Sequence, residues 1–285
     1  FNTGSTGLMY RRDLIDDPPT TWDELIDLGK SFQAQGFEDG FFSKTSGLHV
    51  LYHLVFSMYS SYLKTTGGVW YDENERPTFG DIPAERAKMI EIFSVYKRLV
   101  DEGVMSLDIL DAQNVADSAA VLASGRTPMY QGLVWGSQLK QMAGEELADK
   151  WALARTPQLS ANDQPSAPAG GWNYGFFADS KEKLDPAFDL VWDLYASEQG
   201  MAGWCEAGGY PPVRFSVFEN YPAFSERSYQ ELAAILAIAE PWPPSPTMQI
   251  MGDESREAME AMLLGQLTPE EAVDQFFEET IDQLD

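Results

Sequence analysis

The stretch PPTTWDELIDLGKSFQAQG carries both a helix start and a helix stop, and this punctuation constrains the fold more than any other feature of the chain. Thr21 and Glu24 stand three apart, the spacing at which each side chain reaches a backbone N–H that the first helical turn leaves open. Apolar residues then recur at Trp22, Leu25, Ile26, Gly29 and Phe32, one face of a helical period, and Gly36 closes the run. Such a helix must lay its stripe against a core. The same grammar predicts a helix over residues 83–103, with Ala87, Ile90, Phe93 and Tyr96 as its stripe, and another over 185–200, where Asp185 stands as a cap before Pro186. Further helices are predicted over 228–239 and over 255–264, the latter stopped by Gly265. A last one opens with Thr268, Pro269 and Glu271, a second capping box. Short strands fit 128–134, 151–155 and 172–178. Helices interleaved with short strands indicate an α/β chain. The Pro- and Ser-rich stretches at 158–171 and 240–249 read as a surface loop and a crossing between lobes.

A chain of 285 residues has room for one large domain or two ordinary ones. With 19 basic against 45 acidic side chains its net charge is −26, so phosphate backbones and anionic headgroups are poor partners, and the charge favours solubility, as in a salt-rich habitat. Cys205 is the single cysteine; it excludes an intramolecular disulfide, leaves the redox compartment open, and reads as a small buried apolar group. No run approaches the roughly 18 apolar residues of a bilayer span. The opening FNTGSTGLMYRRDL has no initiator methionine, basic region or apolar leader, so the sequence is expected to start partway through a longer product.

The motifs that would carry catalysis are missing: there is no GxSxG elbow, no GxxxxGK[ST] phosphate loop, no GxGxxG fingerprint and no CxxC pair. His49 and His53 stand four apart in LHVLYHLVF and would share a helix face, a spacing that can hold zinc; Val50 occupies the place of a zincin glutamate, and no third ligand is close in sequence. Paired carboxylates for glycoside cleavage stay open, because 45 acidic residues offer many pairings that geometry alone selects among. The unusual feature is aromatic: eight Trp, 12 Tyr and 16 Phe, several beside glycine. Trp70 follows Gly67 and Gly68, Trp135 follows Gly132, Trp172 follows Gly170 and Gly171, and Tyr210 follows Gly208 and Gly209. A residue without a Cβ lets backbone approach a neighbour closely and leaves an adjacent ring face uncovered, which suits the flat C–H face of a sugar. Core aromatics beside helix ends would give the same pattern.

At LMYRRDLIDDPPTTWDELIDLGKSFQAQG the sequence resembles the extracellular solute-binding proteins of ABC transporters, in the sugar-binding group that includes maltose-binding protein; Tyr10, Asp13, Leu14, Pro18, Pro19, Thr21, Trp22 and Glu24 match its pattern. The resemblance continues in order through GGVWYDENERPTF, GRTPMYQGLVWGSQL, AGGWNYGFFADSKEKLDPAFDLVWDLYASEQG, GGYPPVRFSVF and LTPEEAVDQFFEETIDQL. It implies a periplasmic-binding-protein-like α/β fold of two lobes (type II), with most of the first lobe absent: residues 1–4 a hinge remnant, 5–176 the first part of the second lobe, 177–223 a remnant of the first, and 224–285 the second lobe's C-terminal helices. It further implies a sugar or short oligosaccharide held in the cleft, no cofactor, no metal and no catalysis, delivery to the permease subunits of an ABC transporter, and a monomer outside the cell or in the periplasm, held near the membrane by the transporter or a lipid anchor. Trp172 and Trp135 become stacking platforms, with Asn173 beside them, Tyr210 and Arg214 contributions of the first lobe, and Trp70 and His49 residues of the cleft rim. The group's usual stacking aromatic is replaced near residue 251 by Met251, Gly252, Asp253 and Glu254, which leaves Asp253 or Glu254 either to accept sugar hydroxyls or to serve a helix N-terminus. A different polar solute, such as a glycerol phosphodiester or a polyamine, and a carbohydrate-active enzyme stay as alternatives.

Overall fold

The computed structural model describes residues 4–44, 50–112, 114–132, 136–171, 173–177 and 180–284. Its first strand, β1 (Gly7–Arg11), lacks apolar–polar alternation because Leu8 and Met9 are both buried in the middle of a sheet. Helix α1 (Trp22–Ala34) is built as expected: the Thr21 hydroxyl accepts from the Glu24 N–H at 3.3 Å, the Glu24 carboxylate accepts from the Thr21 N–H at 3.1 Å, and all five predicted stripe residues are buried. A π-helical turn (Val50–Val55) runs into α2 (Phe56–Thr66), and α3 (Pro83–Asp101) follows. In α3 the buried face is Met89, Ile92, Phe93, Tyr96 and Leu99, while Ala87 is exposed and Ile90 half-buried. The expected stripe is rotated because helices from the far end of the chain cover α3 as well.

Helix α4 (Val115–Ser124), capped by Asn114, leads into β2 (Met129–Gly132), α5 (Gly136–Ala143), α6 (Glu145–Ala148) and β3 (Trp151–Ala154). Strand β1 lies between β2 and β3 and is antiparallel to both, with Met9 opposite Tyr130 on one side and Leu153 on the other. Phe42 joins β2 in parallel, donating to the Met129 carbonyl at 2.9 Å and accepting from the Gln131 N–H at 3.0 Å. The carboxyl ends of the 41–44 segment, β2 and β3 therefore share one edge of the sheet with the amino end of β1.

Strand β4 (Ala167–Ala169) lies inside the stretch expected to be a surface loop, and it pairs in parallel with β5 (Ala239–Pro241). Of the strand expected over 172–178, residues 173–177 form none. The ladder is used earlier, since Gly170 exchanges two backbone bonds with Gly4, at 2.7 and 3.0 Å. Helix α7 (Lys181–Val191) starts five residues before its predicted cap, at Ser180, and takes Pro186 into its second turn, where one N–H is missing. A second π-helical turn (Trp192–Ala196) ends at Ser197, whose hydroxyl accepts from the Gly200 N–H and opens α8 (Glu198–Gly208). Gly200, expected as a stop, lies within α8 because any side chain there would strike the Asp193 carbonyl.

Helices α9 (Phe215–Asn220) and α10 (Arg227–Leu236) precede β5. Helix α11 (Thr247–Leu263) begins eight residues before its predicted start, because the Thr247 hydroxyl donates to the Glu75 carbonyl at 3.0 Å and pins the first turn. Gly265, at φ 75°, closes it as expected, and α12 (Pro269–Asp282) carries the predicted Thr268–Glu271 capping box. Two cores result. The larger runs from Leu8 through Trp22, Tyr59, Phe93 and Tyr96 to Phe276; the smaller holds Met201, Ala202, Cys205, Val217 and Phe224. Cys205 is fully buried, and burial pushes its thiol up to about 11, in keeping with an apolar role.

Candidate functional site

In open α/β sheets, ligands collect in the crevice beyond the carboxyl ends of the strands. At that edge the 41–44 segment ends at Lys44 and β2 ends at Gly132. The π-helical turn that opens at Val50 touches β2, and Gly170 bonds to Gly4 just ahead of β1. Tyr52 of the π-turn lies so close over Gly170 that a Cβ at residue 170 would strike its hydroxyl. Gly170 does provide the close approach expected of it, at a φ that is not positive, and the group that approaches is Tyr52 from another element. π-Turns interrupt regular helices at a cost and are concentrated at functional sites.

Tyr52 stacks on Trp242 with ring centroids 5.7 Å apart and planes at 21°. Trp242 continues inward to Phe56 at 4.3 Å and Trp70 at 5.5 Å, and Trp70 meets Tyr59 edge-on at 4.7 Å. The series passes from half-buried rings, Tyr52 and Trp242, to a sealed one: Trp70 is 6% exposed and donates its indole N–H to the Ser60 hydroxyl at 3.0 Å. Trp70 therefore stands in the interior and not at a cleft rim; α2, through Phe56, Tyr59 and Ser60, and Trp242 close over it. Burial raises the Tyr52 phenol to about 12, so it stays a neutral donor at physiological pH.

Lys44 is only 2% exposed, and its Nζ has no hydrogen-bond partner. Burial pulls the ammonium down to about 8, and the Asp117 carboxylate, on the first turn of α4, opposes that in part. A buried ammonium without an acceptor is a cost to the fold that a neutral side chain would not carry. The hydroxyl of Thr6, next to β1, is likewise buried without a partner.

Of the residues expected to hold a ligand, Trp135, Trp172 and His49 lie outside the described residues. Their described neighbours Gly132, Gly171 and Val50 converge on the edge just outlined. Asn173 is exposed. Tyr210 and Arg214 belong to the smaller cluster: the Tyr210 ring stacks on Trp204 at 6.5 Å, and the Arg214 guanidinium lies 5.6 Å over Trp192. Glu254 turns to α12, accepting from the Gln283 amide at 2.5 Å, and Asp253 accepts from Gln249 at 3.3 Å within its own helix. Sequence reasoning missed Lys44, Tyr52 and Trp242. Trp242 sat in a proline-rich stretch with no periodicity, and Lys44 had no local signal at all.

A cavity of about 590 Å³ lies elsewhere, between β3 and α10, and none of the described residues among those expected to bind lines it. Its arginine, Arg227, is committed to Glu231 at 2.7 Å and to the Trp151 carbonyl at 3.1 Å, while Glu231 also accepts from the Leu153 N–H. These contacts clamp α10 to the sheet. Among the described residues no three His, Cys, Asp or Glu side chains gather around a metal position, and no helix is long and apolar enough to cross a membrane.

Comparison with solved structures places this architecture. Maltose-bound T. maritima MalE3 matches at a TM-score of 0.77 and 22% identity, over 99% of this chain and 71% of its own. An ABC transporter solute-binding protein from Thermotoga lettingae TMO, bound with α-D-tagatose, matches at 0.79 and 24% identity, over 100% and 71%. The GacH receptor of Streptomyces glaucescens matches at 0.78 and 20%, over 97% and 68%. The fold is that of the periplasmic binding proteins, with mixed sheets. Residues 1–234 match the family described as bacterial extracellular solute-binding protein. The chain belongs to that family, whose members are the non-catalytic, solute-binding components of ABC transporters.

Proposed function

We propose that the chain captures a sugar or short oligosaccharide and delivers it, unchanged, to the permease subunits of an ABC importer, acting in the periplasm or at the cell surface, where the transporter or a lipid anchor keeps it near the membrane. The observation that carries this reading is the half-buried Tyr52–Trp242 pair at the carboxyl edge of the sheet, in a fold whose solved examples include proteins bound to maltose and to tagatose. Aromatic faces take up the C–H faces of a sugar ring, and Lys44 and the Tyr52 hydroxyl donate to its oxygens. Each stacked ring contributes about 0.5–1.5 kcal/mol beyond its buried area, so a few rings with several hydrogen bonds reach micromolar affinity, about 8 kcal/mol.

In this reading Trp135 and Trp172 complete the stacking wall, with Asn173 and His49 beside it, and Tyr210 and Arg214 close from the smaller cluster, so that ligand draws the protein to the closed form by contacts only that form makes. Isothermal titration against mono- and oligosaccharides tests it. One molar equivalent of bound sugar, recovered intact, is expected. Binding of a glycerol phosphodiester or polyamine with no response to any sugar would replace the ligand class, and release of cleaved product would replace the binding reading with an enzymatic one.

A further inference from the structure

Trp242 is placed by its neighbours and not by a bond of its own ring: the indole N–H is buried without a partner. Pro241, Pro243 and Pro244 surround it. Proline fixes its own φ and holds the residue before it in extended backbone, so this stretch is a stiff strut whose ring goes where the ends are tied. Both ends are tied. At one end the Glu240 carboxylate pairs with Lys64 of α2 at 2.8 Å and accepts from the Ser166 hydroxyl at 3.5 Å. At the other, Ser245 donates its hydroxyl to the Glu75 carboxylate at 3.4 Å, and Thr247 donates to the Glu75 carbonyl at 3.0 Å.

The Glu240 tie shares an element with the partner ring. Side chains two apart along extended backbone leave it on one face. Glu240 accordingly meets α2 at Lys64, and Trp242 meets the same helix at Phe56, with ring centroids 4.3 Å apart. The π-helical turn that carries Tyr52 runs directly into α2. The far half of α2 also grips the approach to β4, since the Ser61 hydroxyl donates to the Gln164 carbonyl at 2.5 Å and the Thr65 hydroxyl accepts from the Gln164 N–H at 3.1 Å. We propose that Lys64 and Glu240 are positioning residues for the Tyr52–Trp242 pair: their ion pair sets where β5 lies along α2, and so holds the two rings 5.7 Å apart and within 21° of parallel. The inference rests on the reading of that pair as a sugar platform and adds what fixes the platform's geometry. With side chains 26% and 40% exposed, the ion pair contributes little to overall stability, so its loss is felt in ring placement before it is felt in melting.

Fluorine NMR of the 285-residue chain labelled with 5-fluorotryptophan tests it, the Trp242 resonance among the eight being the one lost in Trp242→Phe. Lys64→Met and Glu240→Gln should each shift and broaden that resonance, leave the Trp151 resonance in place, and move Tm by no more than about 2 °C. Lys64→Arg, which keeps the charge, should retain the parent resonance. Isothermal titration with maltose, maltotriose and tagatose should show affinity falling about fivefold in Lys64→Met and Glu240→Gln, the worth of one misplaced ring, but not in Lys64→Arg. A Trp242 resonance unmoved in both neutral variants overturns the proposal, as does a displaced resonance with undiminished affinity for a sugar that the parent binds. A fall in Tm with the resonance unmoved assigns the pair to stability alone and overturns it equally. A parent chain that titrates with no sugar removes the sugar reading; the fluorine resonance, read without ligand, then decides by itself whether the pair holds Trp242.

Discussion

Replacing Lys44 with methionine is expected to stabilise the fold and weaken ligand capture at once. The side chain is 2% exposed, its Nζ finds no acceptor, and burial lowers the ammonium from 10.5 to about 8. A base whose folded value lies below its unfolded one binds its proton more readily in the unfolded chain, so stability falls as the pH drops from about 10.5 to about 8 and the penalty is constant below that. At roughly 1.4 kcal/mol for each pH unit, the penalty at neutral pH is about 3 kcal/mol. Methionine keeps the unbranched stem and removes the charge, so most of that should be recovered. For a chain of this length the gain corresponds to about 5 °C in Tm.

Differential scanning calorimetry of parent and Lys44→Met at pH 7 and at pH 10.5 checks this, with the full gain at the lower pH and almost none at the higher. A variant that melts below the parent at pH 7, or a gain that ignores pH, would refute the idea of a charge buried without compensation. The same variant should bind sugar roughly ten- to a hundredfold more weakly, the loss of one hydrogen bond to a charged donor. Stabilisation with unchanged affinity would leave Lys44 as a cost to the fold with no return in binding.

Trp70→Ala removes the innermost ring of the aromatic series and should cost about 3–5 kcal/mol, read as a fall in Tm, because the site is packed on several sides by Phe56, Tyr59 and Trp242; a loss below 1 kcal/mol in denaturant titration would put Trp70 back at the surface. Trp172→Ala should weaken sugar binding tenfold or more by isothermal titration with little change in Tm, and parallel loss of both would make it a core residue. Raising NaCl from 0.05 to 1 M should raise Tm by several degrees, since screening relieves the mutual repulsion of a chain at −26 more than it weakens its surface ion pairs; a flat or falling curve would show that the acidic excess carries no folding penalty.

What sequence reveals about this fold follows the range of the interactions. The Thr21–Glu24 and Thr268–Glu271 boxes act within one turn, so α1 and α12 are readable as written, and the glycine stops at 36 and 265 need only their own φ. The start of α11 is different in kind. Pro246 at its cap position offers no side-chain bond; the Ser245 hydroxyl accepts from the Thr247 N–H at 3.1 Å, and the Thr247 hydroxyl is tied to a carbonyl 172 positions away, on Glu75. The buried face of α3 is likewise selected by α11 and α12, which periodicity within residues 83–103 cannot anticipate.

The site residues lie at the far end of that scale, and their chemistry explains why. A lysine is ordinary until the fold encloses it; Lys44 becomes a depressed, unpartnered ammonium through its burial at the end of the segment in which Phe42 pairs with β2, and Asp117 on α4 offsets that only in part. Tyr52 and Trp242 are 190 positions apart and gain a shared face only when β5 delivers Trp242 beside the π-turn. The glycines offer the one partial signal. Gly170 was singled out because a missing Cβ permits close approach, and close approach is what it provides, though to Tyr52 from another element rather than to the tryptophan two residues along. A glycine next to an aromatic thus marks where backbone is crowded, while the ring that does the crowding has to be found in three dimensions; that is why the half-buried Tyr52 and Trp242, and not the glycine-flanked Trp70, are the described rings left at the edge where a ligand can reach them.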